Sequence, residues 1–222
     1  MRDRLTGRRP VSDLRYRQTK LTNGYGGTMA RETSVVTPER FAEGFDYPTY
    51  IGQIKVNKAR FEGFYDGSKL SPEDAAYFKE LAQRPNGPAK MMVIGEDWCG
   101  DVIRGLPVLA RIAEAAGIPI SIFPRDSHHD IMNEFLKEGK YMSIPVAVFY
   151  TADHRYICHW IERPEIAERE QHEIEQAIRD ENPGIDDQAF GRERRARTAA
   201  KADEWIAATV VELKELLTKS LA

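Results

Sequence analysis

The stretch that most constrains this chain is Lys90 to Pro107, KMMVIGEDWCGDVIRGLP. Met91, Met92, Val93 and Ile94 are too short a run for a helix and too apolar for a loop, so they read as a buried strand. From Val102 to Ala116 the inward positions Ile103, Leu106, Leu109, Ile112 and Ala113 mark a helix, and Gly117 closes it. Cys99 therefore stands where a strand gives way to a helix, beside unpaired backbone N–H groups and the positive end of the dipole. That setting favours the thiolate, the nucleophilic form, and makes Cys99 a candidate redox or nucleophilic centre.

Two effects oppose each other there. A helix N-terminus is worth about 0.3–1 kcal/mol towards the thiolate, up to ~2 in favourable geometry. Glu96, Asp97 and Asp101 disfavour a further negative charge. The expectation is a Cys99 pKa somewhat below the free value of about 8.5.

Around this centre the chain reads as α/β. Thr37-Pro38-Glu39 starts a short helix through Phe41, and Tyr50, Ile54, Phe61 and Tyr65 recur at helical spacing over Thr49 to Tyr65. Ser71-Pro72-Glu73-Asp74 opens a third helix that ends at Arg84-Pro85-Asn86-Gly87-Pro88. These helices are expected to cover a sheet face or edge. After the central helix come a strand at Ile118–Phe123, a short helix at Ser127–Leu136 and strands at Val146–Tyr150 and Arg155–Ile161, the last two joined as a hairpin. A charged helix runs from Pro164 to about Glu181; Asn182-Pro183-Gly184 breaks the chain. A final amphipathic helix carries Trp205, Ala208, Val211 or Glu212, and Leu216. The divisions are 1–36, a basic N-terminal extension; 37–88, helices packed on the core; 89–181, the core; and 182–222, a C-terminal helical extension.

Composition narrows the function classes. At 41% hydrophobic residues the 222-residue chain can bury a normal core, and a net charge of −3 argues against a nucleic-acid partner. The head is the exception: Arg2, Arg4, Arg8, Arg9, Arg15, Arg17 and Lys20 outnumber Asp3 and Asp13, and Asn23-Gly24-Tyr25-Gly26-Gly27 reads as a flexible linker. No stretch has the length and apolarity of a membrane helix, and the head lacks the apolar core of a secretory signal. Two cysteines are too few for a disulfide framework, so reduced thiols in the cytoplasm are expected, with Cys158 a small core residue. The run Arg192-Glu193-Arg194-Arg195-Ala196-Arg197 has no interleaved aromatic and reads as a solvated face. His128-His129-Asp130 and Cys158-His159 lack chelating geometry, because adjacent residues diverge on a helix and alternate across a strand, so no metal is expected.

Trp98-Cys99-Gly100, Pro107 in the following helix and Ser143-Ile144-Pro145 before VAVFY resemble the thioredoxin superfamily: the first half of its Trp-Cys-Gly-x-Cys motif, its kink proline and its cis-proline loop. The similarity is greatest to a bacterial branch with a WCGD motif, extra helices before the fold and a Trp-x-Glu-Arg-Pro element, here Trp160-Ile161-Glu162-Arg163-Pro164. The resemblance runs from about Phe41 to the C-terminus. It implies a thioredoxin-like βαβ-α-ββα fold around a central mixed sheet, with added N-terminal helices and a C-terminal helical extension. It also implies Cys99 as the reactive residue, and Trp98, Gly100, Asp101, Ile144 and Pro145 bordering the substrate, with the Ile144 backbone facing an extended peptide. A glutathione transferase also joins this fold to helices, but the placement of helices before the first strand counts against it.

Where the family has its resolving cysteine this chain has Val102, and its buried strand acid is replaced by Val93. A mixed disulfide on Cys99 would then be resolved by an outside thiol such as glutathione or a partner's cysteine. Two functions stay open from this: single-thiol exchange with protein thiols or disulfides, and a non-catalytic binding module using the groove beside Cys99 and Pro145. Peroxide sensing through a sulfenic acid is a third, weakened by the missing resolving thiol.

Overall fold

The structure, a computed structural model, describes residues 34–222. The basic head and its glycine-rich linker lie outside the described residues.

The apolar run becomes β1 (Lys90–Gly95), buried from Met91 onward. It is an inner strand of a four-stranded sheet with β2 (Ile120–Pro124), β3 (Val146–Tyr150) and β4 (Tyr156–Ile161), ordered β2-β1-β3-β4. β1 runs parallel to β2 and antiparallel to β3, and β3 and β4 form a hairpin. This is the mixed sheet expected, with the crossover from β1 to β2 made by α5 (Gly100–Ala116).

Strand alternation sorts the two faces. Ala147, Phe149, Cys158 and Trp160 share one face, which α5 and α9 (Ala202–Ser220) cover; Val148, Tyr150 and His159 share the other. There Phe41 of α1 (Pro38–Phe41) meets the Tyr150 ring edge-on at 6.4 Å, and Phe135 meets His159 at 5.4 Å. Ile131 and Met132 of α6 (His129–Met132) are buried with them. The helix expected over Ser127–Leu136 is thus one turn, preceded by a 3-10 turn at Arg125–Ser127. It stops at Met132, and the chain later reverses through Glu138 and Gly139, both at positive φ, to pair Lys137 with Tyr141.

The helix expected across Thr49–Tyr65 is two, α2 (Tyr47–Gln53) and α3 (Lys58–Gly67). Asp97, distant in sequence, makes the break: its Oδ2 accepts from the amides of Lys55 at 2.8 Å and Val56 at 3.2 Å, and its carbonyl accepts from Asn57 Nδ2 at 2.9 Å. Asn57 sits at φ 60, the left-handed region asparagine tolerates better than most residues. α3 and α4 (Pro72–Gln83) do not lie on the sheet as expected; both pack on α5 and form an outer layer. The edge is closed instead by Phe45, whose N–H and C=O bond Ile122 of β2 at 2.9 and 2.8 Å. This bridge takes up one amide and one carbonyl at the middle of the edge strand.

After α7 (Glu165–Glu181) and α8 (Asp187–Ala199), α9 returns to the sheet. Its buried side is Ala202, Trp205, Thr209, Val210, Leu213, Leu216 and Leu217, and the last four of its apolar residues join the same core as β1 and β3. Val211, one of two residues expected on the inward stripe, is 54% exposed, and Val210 takes the inward place. No helix among the described residues is long and apolar enough to cross a membrane.

Candidate functional site

The site forms where β1 ends. Trp98 and Cys99 occupy the connection to α5, and Cys99 is the residue that caps the helix, with extended backbone (φ −81, ψ 125). The Ile144–Pro145 peptide, which is cis, comes up beside it at the start of β3. Cys99 Sγ donates to the Ile144 carbonyl across 3.6 Å. Ile144 and Pro145 are both buried, and the proline ring lies so near α5 that a Cβ on Gly105 would be 3.1 Å from its Cγ.

Cys99 is partly buried, and this reverses the expected direction of its ionisation. Burial raises its pKa above the ordinary thiol value, and the Asp101 carboxylate raises it too. The Val102 and Asp101 backbone N–H groups and the charge of Arg163 pull the other way without overcoming burial. At neutral pH the resting group is therefore a thiol, in keeping with its donation to Ile144.

The remaining expected residues divide into two groups. Trp98 is 50% exposed and Gly100 is open to solvent, so both border the surface beside the thiol. Arg125 stands 4.9 Å over the Trp98 ring, pairs with Asp126 at 2.6 Å and reaches the Met142 carbonyl at 3.4 Å. It thus links Trp98 to Met142 across the mouth of the site, and Met142 and its neighbour Tyr141 are themselves exposed. Asp101 behaves differently. Its carboxylate is engaged within the fold, Oδ1 by Arg104 at 2.5 Å and Oδ2 by Arg163 at 2.7 Å.

Arg163 is a site residue that sequence reasoning does not single out, although it belongs to the Trp-x-Glu-Arg-Pro element. The available signal is a pair of charges placed between a strand and a helix-starting proline, where a solvated turn is the simpler expectation. Val102 is fully buried against Gly95, so the position of a second cysteine is a core position here. Both cysteines are free. Among the described residues no cluster of three or more His, Cys, Asp or Glu could hold a metal ion.

A family model described as thioredoxin matches residues 44–175, from the segment that closes the sheet edge through most of α7. The chain belongs to the thioredoxin family. Two crystal structures share the thioredoxin fold with it: a protein of unknown function from Pseudomonas aeruginosa (16% identity, TM-score 0.54, 83% of this chain and 99% of that one) and an HIV epitope scaffold (19% identity, TM-score 0.50, 61% and 81%). No curated protein matches the chain. Identities this low speak to the thioredoxin fold and leave the chemistry to the site itself.

Proposed function

We propose that this thioredoxin-family chain is a single-thiol exchange protein acting through Cys99. The observation that supports it is the placement of Cys99 Sγ at the start of α5 and 3.6 Å from the Ile144 carbonyl, with valine rather than a second cysteine at position 102. The Cys99 thiol loses its proton, and the thiolate attacks one sulfur of a partner disulfide. A Cys99–partner disulfide forms and the other partner sulfur leaves as thiolate. An outside thiolate then attacks the mixed disulfide and restores Cys99, leaving the electron balance of one disulfide for another. Glutathione or a cysteine of the protein partner is that outside thiol, and the reducing cytoplasm is where it is plentiful. Because burial holds Cys99 protonated at rest, exchange is slow in the free protein.

A second reading, a binding module, rests on the exposed Trp98, Tyr141 and Met142 at the same mouth. Incubation with a glutathionylated peptide separates the two. Single-thiol exchange predicts a glutathione adduct on Cys99 by intact-mass analysis, deglutathionylated peptide, and loss of both in C99S. Peptide binding that persists in C99S with no adduct in the parent sinks the exchange reading.

A further inference from the structure

The turn that follows β4 grips both halves of the Cys99 site. Glu162, at φ 71, donates its amide to the carbonyl of Pro145 at 2.7 Å. The next residue, Arg163, places Nη2 2.7 Å from Asp101 Oδ2, on the first turn of α5, and 2.5 Å from Glu162 Oε1. Glu162 is held in turn by Lys137 Nζ at 2.7 Å, and Lys137 pairs with Glu168 of α7 at 3.0 Å. The side chains of Asp101, Arg104, Glu162 and Arg163 are each only 13–16% exposed, so these charges meet with little water to screen them. One dipeptide, distant in sequence from the start of α5, thus ties the helix that carries Cys99 to the loop that carries Ile144.

We propose that Arg163 is a positioning residue for Cys99: through Asp101 it compensates the carboxylate beside the thiol and holds the start of α5 against the Pro145 loop. Both bonds leave one nitrogen, Nη2, at the far end of the arginine side chain, a bond further from the backbone than a lysine ammonium extends. The titratable and charged groups around the thiol are Asp101 and Arg104 on α5, Arg163 after β4, Glu96 and Asp97 on the preceding connection, and Tyr50 on α2. Arg104 alone cannot replace Arg163, since it belongs to the same helix as Asp101 and makes no tie to the Pro145 loop. Without Arg163, Asp101 keeps one of its two cations and the thiol faces a less compensated negative charge.

The proposal rests on Cys99 being the reactive group, and it is tested by alkylation, which needs no disulfide partner. The full chain carrying C158S reports Cys99 alone to iodoacetamide between about pH 6 and 10. In that background R163Q is expected to move the titration to higher pH and to slow labelling at neutral pH at least roughly three-fold. R163K, which keeps the charge but not the reach to Asp101, is expected to lie between R163Q and the parent. With D101N present, the further change R163Q is expected to slow labelling less than it does in the parent, because the carboxylate that Arg163 compensates is gone and only its direct pull on the thiolate is lost. Unchanged titration and rate in R163Q, or the same slowing with and without D101N, overturns the proposal. Should circular dichroism show R163Q unfolded, R163K carries the test, with at least roughly two-fold slowing expected and parent-like labelling overturning it. Absence of glutathione exchange in a parent whose alkylation responds as expected would instead count against the exchange reading alone.

Discussion

Val102 stands so close to Gly95 that a Cβ on the glycine would lie 2.8 Å from valine Cγ1. The end of β1 and the first turn of α5 are in contact through this pair, with Val102 wholly excluded from solvent. The position that a dithiol enzyme gives to chemistry is here part of the packing, and the strand residue beneath it is reduced to a glycine to admit it.

V102C rebuilds a two-cysteine motif on an unchanged backbone. Removing one methyl-sized group from this contact should cost about 0.5–1.5 kcal/mol in urea unfolding. Under mild oxidant the variant should lose two titratable thiols relative to its reduced form, and peptide mapping should find Cys99 linked to the introduced cysteine. Two thiols that stay free would show that the contact holds the side chains apart.

Alkaline pH should weaken the fold through its thiols. Burial pushes Cys158 up to about 12 and raises Cys99 as well. An unfolded chain releases these protons near about 8.5 while the folded one retains them, so stability is full below that pH and falls as pH rises towards the folded value. The slope approaches about 1.4 kcal/mol per pH unit for each retained proton. C158A should therefore lose less stability than the parent between about pH 8 and pH 10 in urea titrations. Equal losses would mean that Cys158 ionises as readily folded as unfolded.

Asp97 should prove structural. D97A leaves the amides of Lys55 and Val56 without their acceptor and should cost about 1–3 kcal/mol, while D97N, which keeps a carbonyl oxygen, should cost less. Hydrogen exchange at those two amides should accelerate in D97A. Protection equal to the parent's would assign the break between α2 and α3 to another cause.

Leu213 and Val211 should differ sharply although they are near neighbours in sequence. Leu213 has no exposure in the core shared by α9 and the sheet, so L213A should cost about 2–5 kcal/mol. V211A, at an exposed position, should stay within about 0.5 kcal/mol. Similar losses in thermal unfolding would place α9 in a different rotation.

What can be read in the sequence is local. Met91 to Ile94, Val146 to Tyr150 and the proline-capped helices are legible because period and caps are written within a few residues. The split between α2 and α3 is not, since the oxygen that breaks the helix belongs to Asp97, and the phase of α9 turns on choosing Val210 over Val211. The sign of the Cys99 shift is hidden for the same reason. A helix start is visible in the chain, but the burial that outweighs it comes from the folded surroundings. Asp101 is legible as a neighbour of the thiol, not as the target of Arg163.

The order of synthesis gives the Glu162–Arg163 turn a temporal meaning. Cys99 leaves the ribosome well before the turn that holds its surroundings, on the order of 3–13 s ahead at common elongation rates. For the first part of that interval the nascent thiol lacks the carbonyl of Ile144, and throughout it the guanidinium of Arg163. The burial that shields the thiol and raises its pKa is acquired late, as a property of the completed chain. A thiol-specific label applied to stalled nascent chains would thus see an ordinary cysteine until residues well past Arg163 have emerged.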